Sequence, residues 1–196
     1  YGPNNATLTV AGDVNPAEVL KLAEKYFGTI PQCPAVKNMV PVPVKLDKDR
    51  YISYEDNIKF PLLQLAFPTV EARHADEAAL DILAEVLGQS KTSVIYQNLV
   101  KSQKSVQALA EHGCRELGGS FEISAIASPG TTPAELEKII RSSMDEFEKK
   151  GITDEDLKRY KASYEANTIN SLNSVRGKGA QLAFYQTFTG NPNYIQ

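Results

Sequence analysis

Between Thr29 and Lys48 the chain carries four prolines, Pro31, Pro34, Pro41 and Pro43, and almost no helical period. Proline fixes φ and removes a backbone donor, so this stretch cannot continue a helix or sit inside a sheet. It reads as an extended tether. No regular element crosses it, so the chain must be built from patterned segments on either side. The expected organisation is a short opening segment (residues 1–28), the tether (29–48) and a main domain (49–196).

The opening segment predicts a strand over Thr7 to Gly12, with Leu8 and Val10 on one face. Asn15 then caps a helix that has Pro16 at its first position and Glu18 in its first turn. Gly28 ends that helix. After the tether, Arg50 to Asp56 and Leu62 to Phe67 both predict strands. The turn at Asp56-Asn57 would bring them close in space, with Pro61 limiting their pairing there. Ala75 to Leu87 predicts a helix stopped by Gly88, and Ser93 to Ser102 a shorter one. Ser105 to His112 and Ser120 to Ala127 alternate as a β-hairpin across Leu117-Gly118-Gly119. Thr132-Pro133 opens a helix with Leu136, Ile139, Ile140 and Phe147 on one stripe, ended by Gly151. Thr153-x-x-Asp156 is a capping-box pattern with Asp in the usual Glu position. It starts a long helix to about Asn173. Gly177 and Gly179 are expected to interrupt it before a last helix to about Thr189. The resulting class is α+β, a mainly antiparallel sheet with helices packed on it.

Composition excludes more than it assigns. Hydrophobic residues are 42% and charged residues 23%, an ordinary globular balance. A net charge of −3 gives no electrostatic case for nucleic acid or an anionic membrane. No apolar run approaches a bilayer span. Cys33 and Cys114 have neither metal-type nor redox-type spacing and read as unpaired thiols. Asn5-Ala6-Thr7 matches a glycosylation sequon but falls on the expected strand edge.

The residues that carry chemistry are mostly missing. A hydrolytic zinc site needs clustered nitrogen ligands, a carboxylate and an open position for water. The chain has only His74 and His112, far apart in sequence. His74 reads as a solvated residue at a helix entrance, and His112 as a surface residue at the hairpin edge. No nucleophile elbow and no Cys–His pairing is supported by spacing. Asp154-Glu155-Asp156 suits a helix's first turn better than a cation site. Gly118-Gly119 lies between strands, so it is not a phosphate loop. Arg176-Gly177-Lys178-Gly179 reads as a helix break with solvated charges. Tyr160 and Tyr164 have the spacing of a packing stripe. The sequence therefore gives no catalytic and no metal-ligating residue.

Three stretches carry a family resemblance. The opening Tyr1-Gly2-Pro3-Asn4-Asn5-Ala6-Thr7-Leu8-Thr9-Val10-Ala11-Gly12-Asp13 leads into the helix ending at Gly28. Leu87-Gly88-Gln89-Ser90-Lys91-Thr92-Ser93-Val94-Ile95-Tyr96-Gln97-Asn98-Leu99 is similar to an "L-G-x-x-x-x-S-x-L-Y-x-x-L" helix. The third runs from Gly119-Ser120-Phe121-Glu122-Ile123 through Pro129-Gly130, followed by Gly151-Ile152-Thr153-Asp154-Glu155-Asp156-Leu157, which resembles a "G-x-T-x-x-E-L" helix start. In this order and spacing they resemble the pitrilysin/insulinase-type zinc peptidases, at the junction between the zinc domain and the non-catalytic domain that follows it.

The resemblance implies that residues 1–28 close the zinc domain and that residues 49–196 are the partner without metal. The family's H-x-x-E-H motif, whose Glu is the general base, would lie upstream of Tyr1. Zinc is then expected in the parent and not in this segment. The implied partners are the upstream zinc domain, a second half or subunit, and a peptide substrate. Some partner domains of the family hold the substrate backbone with an Arg and, seven residues later, a Tyr. Aligned on Leu99, those positions are Val100 and Gln107, which cannot do the same job. Relatives that have lost proteolysis and serve as structural subunits are the alternative implied role. Bacterial members suggest a periplasmic or cell-envelope setting.

Overall fold

The computed structural model describes residues 2–195. These fall into two compact units, residues 39–160 and a pairing of 1–38 with 161–196.

The unit of residues 39–160 is built on a three-stranded antiparallel sheet in the order β1-β3-β2. Its strands are β1 (Leu62–Thr69), β2 (Ser105–Arg115) and β3 (Gly118–Ala127). The hairpin is longer than predicted, because Glu116 and Leu117 alone connect β2 to β3. Register follows side-chain parity: Leu65 and Ala110 both lie opposite Ile123 on one face. A bulge between Ser105 and Gln107 interrupts β2 near its start.

One sheet face is covered by helix. α2 (Glu77–Ala84) passes into a π-helical turn over Glu85–Gln89, and a second π-helical turn spans Tyr96–Lys101. α3 (Pro133–Lys150) starts at Thr132, whose hydroxyl accepts from the Glu135 N–H at 3.2 Å, and ends at Gly151 with φ +69°. Ile95, Leu99, Ile123, Leu136 and Ile140 are the fully buried centre of the core. Each such side chain contributes about 1.5–3 kcal/mol by leaving water.

The predicted α2 ran through to Leu87 with Gly88 as its stop. Instead the helix widens at Glu85 and Gly88 lies inside the wide turn. A β-carbon on Gly88 would meet the Ala110 backbone nitrogen at 2.3 Å. Glycine here permits close approach to β2; it does not terminate the helix. The predicted strand over Arg50 to Asp56 has no ladder partner among the described residues.

In the other unit, α1 (Pro16–Phe27) begins as predicted, with the Asn15 side chain accepting from the Ala17 N–H at 3.0 Å. The predicted strand at Thr7 to Gly12 makes no ladder among the described residues; a strand needs a neighbour to become one. α4 (Asp154–Leu172) begins in the first unit and ends in this one. α5 (Val175–Thr189) follows with Ser174 as its cap.

Gly177 and Gly179 do not break the helix. The break is at 173–174, and both glycines lie within α5. A β-carbon on Gly177 would sit 1.8 Å from the Ser171 carbonyl oxygen, so glycine allows the tight α4–α5 corner. Gly179 is buried, and a β-carbon there would come within 3.3 Å of the Ala11 methyl. Thr187 Oγ1 also hydrogen-bonds Thr7 Oγ1 at 2.9 Å. These contacts group residues 161–196 with the opening segment.

Candidate functional site

The two positions singled out in sequence face different ways. Val100 lies in the second π-helical turn and packs against the core. Gln107 is exposed on β2, just after the bulge. By strand parity it belongs to the sheet face opposite the core, with Leu109 and Glu111 of β2, Ser120, Glu122, Ser124 and Ile126 of β3, and Gln64 and Ala66 of β1. Glu111 and Glu122 are directly opposite in register. Glu122 is held by Gln64 Nε2, 2.5 Å away, and by the Ser120 hydroxyl at 2.8 Å. This face is mixed: its carboxylates, amides and hydroxyls stand among Leu62, Leu109 and Ile126.

The histidine expected at the surface is instead the centre of a buried network. The His112 side chain is 1% exposed. Its Nδ1 lies 2.7 Å from Asp81 Oδ1 on α2. Its Nε2 lies 3.2 Å from the Thr69 hydroxyl on β1 and 3.4 Å from Cys114 Sγ. A carboxylate only accepts, so Nδ1 carries the proton and Nε2 accepts from Thr69. Gly119 stands opposite both Thr69 and Cys114, and a β-carbon there would fall 2.6 Å from Thr69 Oγ1. The missing side chain opens the space that the Thr69 hydroxyl uses.

This arrangement contains the Cys, His and Asp of a nucleophilic triad, a pairing that sequence spacing did not reveal. The signal was present: His112 and Cys114 share strand parity with the buried Ala108 and Ala110. The electrostatics oppose nucleophilic use. Burial pushes the Cys114 thiol above its ordinary pKa, and Glu77, Asp81 and Glu71 push it further. The thiol donates to the Val70 carbonyl at 3.2 Å. The network therefore ties α2 to two strands.

His74 is at the entrance to α2, where its Nδ1 accepts from the Asp76 N–H at 3.1 Å. Neither histidine lies in a set of three or more His, Cys, Asp or Glu side chains able to hold a metal ion among the described residues. Asp156 serves the predicted capping box: it accepts from the Thr153 hydroxyl at 2.7 Å and the Thr153 N–H at 3.1 Å, and its own N–H donates to Thr153 Oγ1 at 3.2 Å. The Thr153 hydroxyl and N–H, with Arg159, hold the Asp156 carboxyl below its ordinary pKa. No described helix is long and apolar enough to cross a membrane.

Residues 1–164 match the family model described as the peptidase M16 inactive domain. The chain is 27% identical over 191 residues to the zinc protease PqqE of Helicobacter pylori (strain ATCC 700392 / 26695), covering 94% of this chain and 43% of that protein. A crystal structure of a protease from Helicobacter pylori superposes with a TM-score of 0.73 at 24% identity, covering 95% of this chain and 45% of that one. The periplasmic protease PqqL of Escherichia coli superposes with a TM-score of 0.65 at 15% identity, covering 92% and 20%. The chain thus spans less than half the length of these relatives. It belongs to the peptidase M16 inactive-domain family, a domain of the pitrilysin/insulinase-type peptidases.

Proposed function

We propose that this chain is the non-catalytic domain of a zinc-dependent metalloendopeptidase. Hydrolysis is assigned to an upstream H-x-x-E-H domain that holds the zinc. This chain supplies chamber wall and inter-domain surface, with the sheet face around Gln107, Glu111 and Glu122 turned to the peptide. Residues 1–28 close the preceding zinc domain and 29–48 lead into the partner. The observation that carries this reading is the match to the M16 inactive-domain model over residues 1–164. The periplasmic PqqL likeness supports a periplasmic or cell-envelope setting.

A second reading, a structural or substrate-holding subunit that has lost proteolysis, is favoured by Val100 and Gln107. They replace the donor and the phenol that other partner domains use on the substrate backbone. The coding sequence upstream of Tyr1 separates the two. An intact H-x-x-E-H with a later Glu supports the peptidase; replacement of those residues supports the structural subunit.

A further inference from the structure

β1 is an edge strand, and its free edge is poorly guarded. The Ala127 N–H donates to the Pro61 carbonyl at 2.9 Å, one step beyond the Leu62–Ile126 pair. Odd-numbered β1 residues therefore bond to β3, and the backbone groups of Leu62, Gln64 and Ala66 point to the open edge. Natural edges are blunted by charge, bulges or proline. Leu62–Thr69 has no charged residue and no break in its register, and Pro68 guards only its end.

The chain just before β1 matches that edge. Tyr51, Ile52 and Tyr54 are 76%, 86% and 84% exposed in a segment with strand composition and no ladder. Asp56 already forms a turn after it, accepting from the Asn57 N–H at its side chain (2.7 Å) and from the Ile58 N–H at its carbonyl (2.8 Å). At the other end Asp49 Oδ2 lies 3.7 Å from Arg141 Nη2 on α3, the helix that packs on β1.

We propose that residues 51–55 form a strap that closes on the β1 edge as a fourth antiparallel strand. Side-chain parity selects the register. With Ser53 opposite Gln64, Ile52 and Tyr54 fall on the core face beside Leu65 and Leu63. A slip by one would turn Ser53 and Glu55 inward instead. The closed strap satisfies the free backbone groups and covers Ile52 and Tyr54, the two most exposed large apolar side chains of the unit. Opening it frees an uncharged edge for another extended chain.

Amide hydrogen exchange on the 196-residue chain tests this. Closure predicts that the amides of Leu62, Gln64 and Ala66 exchange at least about tenfold more slowly than in an Ile52→Asp/Tyr54→Asp variant, with Ile123 and Ala125 protected in both. If the variant also loses protection at Ile123 and Ala125, Ser53→Pro carries the same test by removing only the strand donor facing Gln64. Equal exchange in wild type and variant overturns the proposal. So does protection that disappears on dilution, which would assign the edge to a second copy.

Discussion

His112 and Asp81 are joined at 2.7 Å across α2 and β2, with the imidazole buried and the carboxylate half-exposed. The pair fixes the tautomer and leaves Nε2 to accept from Thr69. Asp81→Ala strands a buried N–H and should cost about 1–3 kcal/mol in urea unfolding. Asp81→Asn keeps an acceptor and should cost less than half as much. Equal costs for the two would show that the hydrogen bond is not what Asp81 contributes.

Gly88 and Gly113 should respond oppositely to alanine. A β-carbon on Gly88 collides with the Ala110 backbone, whereas at Gly113 nothing lies within 4 Å. Gly88→Ala should destabilise by about 1–3 kcal/mol, and Gly113→Ala should be neutral or slightly stabilising. Thermal melts of the two variants check this directly.

The α4 cap should be acid-sensitive. The folded Asp156 carboxyl titrates below the unfolded value of about 3.9. Its contribution is complete above that value and is lost as pH falls through the folded pKa. Thr153→Ala should cost about 0.5–2 kcal/mol near neutrality. The difference from wild type should shrink below about pH 4. A difference constant with pH contradicts the capping role.

Cys114 should be the slower thiol. It is half-buried, bonded to Val70 and surrounded by carboxylates that disfavour thiolate, whereas Cys33 is exposed. An aromatic disulfide reagent at neutral pH should label Cys33 first and Cys114 only on unfolding. Rapid labelling of Cys114 in the folded chain would show that His112 activates the thiol.

The hairpin turn, the α1 and α3 caps and the Thr153–Asp156 box were legible because each rests on contacts a few residues apart, and the fold class because alternating and helical periods are written along the chain. The His112 network was not, because Asp81, Thr69 and Cys114 meet only through the β1-β3-β2 order. The glycines show the same limit. Gly151 ends α3 through its own backbone angle. Gly88 is required by the Ala110 backbone, which only packing brings near, and Gly177 by the Ser171 carbonyl across the α4–α5 corner, so neither glycine ends a helix.

The most direct test of the central claim is zinc content and peptidase activity, measured in parallel on the 196-residue chain and on the full parent. About one tightly bound zinc and peptide cleavage are expected in the parent, with neither in the isolated chain. Stoichiometric zinc, or cleavage, in the isolated chain would contradict it.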